Sequence, residues 1–457
     1  MIAQLGGNRW IFIDLFKLLP LICWLHFKRS RKALRVIYTI IYLHLLPLVI
    51  MRLYWRSLQN KGYRQRLGER FGLVPPRQSN RPLIWFHAVS VGEVLTAVGL
   101  IKSLQAKHPE YDILITTTTL TGSERVKAIF SGQVLHYYLP YDVPSVLRAF
   151  LTKLKPNILI IMETELWPNL LATCEQQKVP VLLVNARMSQ KSFQGYAHFK
   201  QFSAQMLQSL QVIAAQSQAD ASRLIDLGAN DEQVIITPSL KFDIELTPAM
   251  LQQRDQFLSV LPLQDKKVII FASTHPNEDE MLMPKIQLLL NEHEEVFVLI
   301  APRHPERFDI VERLLNQHHI GFDKLSSISN FHPHSRVLLI DTMGDLLACY
   351  GLADIAFVGG TLIEHGGHNF LEPSLWSLAI CSGPSVYNFQ EIADQLIRQQ
   401  ALSICQDAAG IIDQITHWLG CESEQKRSGV SANQFLQANQ GATETVLLQI
   451  EQQLNSA

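Results

Sequence analysis

At 457 residues the chain exceeds what one hydrophobic core organises, so two globular domains plus a terminal appendage are expected and a small binding module is excluded. Its 40 basic and 41 acidic residues leave a formal charge of −1, with no global excess of cation to attract nucleic acid, so none is expected as a partner. Hydrophobic residues at 47% exclude long disordered tracts, and 6 cysteines without any C-x-x-C spacing exclude a zinc knuckle and a disulfide framework.

The chain opens with two greasy runs. Residues 11–27, IFIDLFKLLPLICWLHF, are interrupted by Asp14, Lys17 and Pro20, which argues against a simple spanning helix. Residues 36–51, VIYTIIYLHLLPLVIM, carry no charge and lie between Arg35 and Arg52; Leu53, Tyr54 and Trp55 can extend them toward a span. Lys28, Arg29, Arg31, Lys32 and Arg35 precede this run, and Arg56, Lys61, Arg64, Arg66 and Arg70 follow it. Such residues suit an anionic membrane surface, the plain alternative being a solvated helix face. Residues 1–70 are therefore read as a membrane-association segment, spanning or interfacial, with the body on the cytoplasmic side.

From residue 82 onward, short apolar runs alternate with helical stretches: IWFHAV, DILITTTT, LHYYLP, NILIIME, VPVLLVN, QVIAAQ and QVIITP. Strands buried on both faces and separated by helices predict a parallel sheet, hence an α/β domain over 71–245. A polar, strandless stretch near 244–265 marks the boundary. The rhythm then resumes with KVIIFAS, VFVLIAP, RVLLID, ADIAFVGG and LAICSG, giving a second α/β domain over 246–457 whose last part, 432–454, reads as a helix. Two doubly wound domains facing one another across a cleft predict ligands at the C-terminal ends of their strands, where helix N-termini expose unpaired N–H groups.

The motifs fall at such ends. In HAVSVGE, Ser90 and Glu93 have the spacing of a capping box, while the turn also suits a carboxylate presented to an incoming hydroxyl. A strand runs directly into Glu163 and Glu165 in IIMETELWPN, where a substrate-binding or catalytic role competes with capping. Lys241 in PSLKFD is the nearest cation that chain order brings to the same sheet edge. Arg303 in APRHPERF suits phosphate, since a guanidinium forms paired, charge-assisted bonds; an ordinary loop arginine is the alternative. In DTMGDL, Gly344 permits close backbone approach and Asp345 can cap the next helix. FVGGTLIEHGGHNFLEP frames a loop with paired glycines ahead of a helix expected near Asn369, where N-x-x-E spacing brings Asn369 and Glu372 together; amides there can receive phosphate while Glu372 accepts ribose hydroxyls. His365 and His368 with Glu364 lack a third well-spaced ligand, so no metal site is expected.

Taken together, KGYRQRLGERFG, WFHAVSVGEV, METELWPNLL, VNARMSQKSFQGY, STH, APRHPERF, DTMGDL and GGHNFLEPSLW closely resemble the bacterial 3-deoxy-D-manno-octulosonic acid (Kdo) transferase family of lipid A biosynthesis. The likeness runs from about residue 36 to the end. It implies a GT-B fold with two Rossmann-like domains, and an inverting glycosyltransferase moving Kdo from CMP-Kdo to the lipid A precursor lipid IVA. No cofactor and no metal ion at the sugar nucleotide are implied, and the location is the bacterial inner membrane, with the catalytic domains on its cytoplasmic face. By the same resemblance Glu93 is the general base, and Glu163 and Lys241 support the transition state. Pro302, Arg303, Met343, Gly344, Asp345, Asn369, Phe370, Leu371 and Glu372 form the CMP-binding set. The sequence departs from the family where Asp345 replaces its frequent Glu, where Phe370 replaces its frequent Pro, and over the first 35 residues. Two rivals are a GT-B transferase using a UDP-sugar on another lipid acceptor, and a membrane scaffold that binds a nucleotide without turnover. Acidic strand ends opposite a phosphate-binding loop argue against the scaffold.

Overall fold

The computed structural model describes residues 31–332 and 334–456; the apolar run 11–27, Lys28 and Arg29 lie outside the described residues. The chain divides into two compact units, the first ending at Asp243 and resuming at Gly441, the second being Ile244–Gln440.

The first unit is built on a parallel sheet of β1 (Leu83–His87), β2 (Asp112–Thr117), β3 (Leu135–Tyr138), β4 (Ile158–Met162), β5 (Val181–Ala186), β6 (Val212–Ala215) and β7 (Val234–Ile236). Its strand order is β3-β2-β1-β4-β5-β6-β7. All seven apolar runs read from the sequence form these strands. Successive residues point to opposite faces, so Leu83 and Trp85 enter one core layer, and Ile84 and Phe86 the other.

Each layer receives a terminal helix. Arg31–Gln59 lays Tyr38 and Tyr42 into the layer of Leu83 and Trp85. Tyr38 meets Phe202 with ring centroids 6.1 Å apart, and Thr39 bonds Asn169. The buried Asp142 carboxylate accepts the N–H groups of Asn169 and Leu170, and burial lifts its carboxyl to about 6. The rest of the helix stays exposed: Val36, Ile40, Leu48, Met51, Tyr54 and Trp55 face outward. Ala33–Leu58 is long and apolar enough to cross a membrane, although the Tyr38 and Tyr42 stripe lies against protein.

The second unit repeats the design with β8 (Lys267–Thr274), β9 (Val296–Pro302), β10 (Asp323–Lys324), β11 (Val337–Leu339), β12 (Ile355–Val358), β13 (Ala379–Ser382) and β14 (Leu402–Ile404). They pair in parallel in the order β10-β11-β9-β8-β12-β13-β14. The sequence reading missed β10 and β14, edge strands of 2 and 3 residues, because so short a run carries no measurable period.

The C-terminal end needs a correction. The stretch 432–454 is two helices, Glu422–Ala438 and Ala442–Ser456, parted at Gly441, whose φ of +102° an L side chain rarely adopts. The chain leaves the second unit at that glycine. Ala442, Val446, Leu447 and Ile450 then pack on Ile84 and Phe86 of the first unit, so residues 441–457 do not belong with 246–440. The Asp243 carboxylate receives the N–H groups of Gly441 and Thr443, joining the point where the chain leaves the first unit to the point where it returns.

Candidate functional site

Strand order reverses between β1 and β4, the place where an open α/β sheet leaves a crevice beyond its carboxyl ends. The acidic motifs leave the sheet there. Glu93 lies in the first turn of the helix Val91–Lys107, capped by Ser90. One carboxylate oxygen accepts the Ser90 hydroxyl at 2.9 Å and the other the Val89 N–H at 2.8 Å. The expected cap is formed, and these bonds fix the carboxylate rotamer at the strand end. The group is 6% exposed. Burial, and then the negative charges of Glu165 and Glu163, push it up to about 8, against the opposing pull of the Val89 and Ser90 hydrogen bonds. A carboxylate with such a pKa is a far stronger base than an exposed one.

Glu163 follows β4 with φ of +57°, and its N–H bonds the Val184 carbonyl at 2.9 Å. A non-glycine residue in the left-handed region stores strain of a kind that concentrates at functional sites. Lys241 sits in the short turn Leu240–Phe242, which packs on the Glu93 helix. That turn is held by Asn185, whose side-chain oxygen accepts the Ser239 hydroxyl at 3.1 Å and the Leu240 N–H at 3.0 Å. Asn185, itself at φ +56°, went unassigned in the sequence although it lies in the VNARMS motif. His87, the first residue of HAVSVGE, is wholly buried against Thr116, and burial lowers it to about 4.

The second sheet reverses its order between β8 and β12, and the other motifs gather at that edge. Pro302 ends β9, buried, and Arg303 follows, exposed, its N–H bonding the Thr274 carbonyl at 3.0 Å. Met343 is exposed, and Gly344 has φ of +103°. The Asp345 side chain caps no helix; it accepts the Gln253 amide and the Thr342 hydroxyl. Asn369 donates to the Glu372 carboxylate at 3.3 Å, as the N-x-x-E spacing predicts. Burial raises Glu372, opposed by Asn369 and by the Arg303 charge. Phe370 and Leu371 are fully buried, so their side chains serve the core rather than a ligand.

Amides of the glycine loop that precedes Asn369 are committed to a carboxylate. Gly360, Thr361 and Leu362 all donate to Glu278, at 2.6, 2.9 and 2.8 Å, as does His275 at 3.1 Å. Glu278 is wholly buried, an internal anion in the glycine loop. Gly359 must lack a side chain, because a Cβ there would lie 2.6 Å from the Ser273 carbonyl. The helix expected at Asn369 is only Leu371–Leu375, and the Leu371 N–H is taken by Asn369. Instead the loop brings imidazoles together. His275, from the STH motif, supplies the third partner that His365 and His368 lacked in the sequence, with the nitrogens of all three within 4.8 Å of one another. Neither Glu278 nor His275 had a role in the sequence reading; the only signal was the STH triplet at a strand end.

Comparison with known proteins identifies the family and agrees with the fold. Residues 65–244 match the family described as 3-Deoxy-D-manno-octulosonic-acid transferase (kdotransferase). The 3-deoxy-D-manno-octulosonic acid transferase of Haemophilus influenzae is 37% identical over 419 residues, covering 90% of this chain and 97% of that protein. The enzyme of the same name from Bordetella pertussis is 32% identical over 431 residues, covering 91% and 99%. A glycosyltransferase structure from Rickettsia africae superposes on the fold with a TM-score of 0.51 at 14% identity, covering 83% of this chain and 100% of that one. With two doubly wound sheets of GT-B type, the acidic edge of the first, and relatives matching nearly end to end, the chain belongs to the 3-deoxy-D-manno-octulosonic acid transferase family of glycosyltransferases.

Proposed function

We propose that this glycosyltransferase moves Kdo from CMP-Kdo to a hydroxyl of the lipid A precursor with inversion at the anomeric carbon. The observation that carries the reading is Glu93, buried beside Glu163 and Glu165 and raised to about 8 at the end of β1. In its ionised form Glu93 takes the proton of the acceptor hydroxyl as that oxygen attacks the anomeric carbon, while the bond to CMP breaks and the phosphate leaves with the electron pair. Glu163 and the Lys241 ammonium support the charge that develops. The first unit receives the acceptor lipid. CMP is held on the second, with Arg303 at its phosphate, Glu372 and Asn369 at the ribose, and Pro302, Met343, Gly344 and Asp345 around the rest. Phe370 and Leu371 contribute by packing beneath the site. The Arg303 guanidinium at the leaving phosphate does the work for which other transferases use a divalent cation.

The Arg31–Gln59 helix supports a place on the membrane where the acceptor resides. Its outward face carries large apolar groups, and Tyr38 and Tyr42 fasten it to the first unit. We assign that membrane to the bacterial inner membrane and the catalytic units to its cytoplasmic face, on the basic residues that flank the helix. The test is incubation of the membrane fraction with freshly made CMP-Kdo and tetra-acylated lipid A precursor, followed by mass analysis of the lipid. A gain of one or more Kdo units is expected, inhibited by CMP and not by UDP. Transfer from a UDP-sugar instead would overturn the donor assignment.

A further inference from the structure

Charge at the β8 and β12 edge is unevenly matched. Arg303, His304 and Arg307 after β9 act on the imidazoles, and the carboxylates of the same edge are Glu278, Asp279 and Glu280 after β8 and Glu364 and Glu372 after β12. Of the carboxylates, Glu278 accepts four backbone N–H groups, Asp279 and Glu280 accept Arg307, Glu372 accepts Asn369, and Glu364 points to solvent. Arg303 forms no ion pair among the described residues. Two further N–H groups of the loop are used: Gly366 bonds the Ser385 hydroxyl and Gly367 the Gly360 carbonyl. An anion that docks beside the three imidazoles also meets the Arg303 charge.

The imidazoles are set to respond to it. His275 Nε2 and His368 Nε2 lie 2.7 Å apart, so one proton serves two nitrogens as N–H···N. The His365 ring is 4.1 Å from that of His275, and His304 is 5.4 Å away. Burial first, and then the neighbouring cations, lower His275 to about 4 and His368 to about 3. A second proton requires an acceptor for each N–H and a negative charge nearby, and an oxyanion supplies both. A cation, the other ligand that converging imidazoles attract, is opposed by Arg303.

We infer that His275, His365 and His368, flanked by His304 and Arg303, form a protonatable cradle for the anionic end of the nucleotide, so that binding the anion draws a proton from solvent onto the cluster. The inference rests on the donor reading above. Linkage makes the affinity for the anion rise as pH falls, by up to about tenfold per pH unit for one linked proton.

The experiment is equilibrium binding of CMP to the full chain in detergent at pH 8 and pH 7, for the wild type, for a His275→Gln/His368→Gln double variant and for His365→Gln, whose exposed ring puts folding at little risk. The second ionisation of the phosphate is common to all three and drops out of their differences. Between the two pH values the wild type should tighten relative to the double variant by about threefold or more, and relative to His365→Gln in the same direction by less. Identical pH dependence in all three overturns the cradle while leaving CMP as a ligand. Failure of CMP to bind, with histidine-linked tightening of inorganic pyrophosphate, keeps the cradle and overturns the donor reading. An effect that disappears in EDTA makes the cluster a metal site and also overturns the cradle.

Discussion

The two sheets share a topology and carry opposite chemistry at the same place. In each, the strand order reverses beside the first strand of the unit, at β1 and β4 in one and at β8 and β12 in the other. The first edge gathers three carboxylates, Glu93, Glu163 and Glu165, whose mutual repulsion and burial hold a proton on Glu93. The second buries its carboxylates against backbone and arginine and presents Arg303 with imidazoles. One backbone plan thus yields an edge of buried, mutually repelling carboxylates and an edge of imidazoles beside a guanidinium. What separates them is whether the buried carboxylates face one another or face N–H groups.

The comparison breaks most severely at Glu93. Glu93→Gln keeps the shape and the Ser90 contact but removes the base, and should lower turnover by roughly 10²- to 10⁴-fold in the lipid mass assay. In the wild type, kcat/KM should climb as pH approaches about 8, and the variant should lack that limb. On the other edge, Glu278→Ala strands three loop N–H groups and that of His275; urea unfolding should show a loss of about 3 kcal/mol, with CMP binding weakened as well. Wild-type stability after Glu278→Ala would mean that the loop is held elsewhere. Arg303→Lys retains charge but loses the fork, and should weaken CMP by about tenfold, roughly 1.4 kcal/mol, while the melting temperature stays unchanged.

The smallest effect runs against intuition. Because the Glu93 carboxyl is raised from 4.5 to about 8 on folding, the unfolded chain loses its proton first, and stability falls as pH rises between those values. Above about 8 the cost is complete. Glu93→Gln removes the titrating group, so the inactive variant should melt higher than the wild type at pH 8, by on the order of 1 kcal/mol, and the two should converge near pH 4.5. A wild type that is more stable than the variant at pH 8 would show that folding does not raise the Glu93 carboxyl.

Much of this was legible before the structure. Seven apolar runs became β1 to β7 because strands buried on both faces have to be apolar throughout, and Ser90 with Glu93 announced a cap through its spacing. Asn369 and Glu372 were paired correctly for the same local reason. The occupant of the glycine loop, Glu278, was not legible because it lies 82 residues away from Gly360 in the chain. The break at Gly441 was missed because helical periodicity continues on both sides of it, whereas the change of packing partner is a tertiary event.

By itself, then, the sequence determined the class of fold, most of the strands and the family, since these rest on periodicity and on motifs whose parts are neighbours along the chain. Only the tertiary structure decided which carboxylates are spent and which remain reactive, that His275 joins His365 and His368, and that the C-terminal helix returns to the first unit. Those outcomes depend on burial and on distances between residues far apart in sequence. Protonation follows the local dielectric and the nearest charges, which no linear spacing encodes.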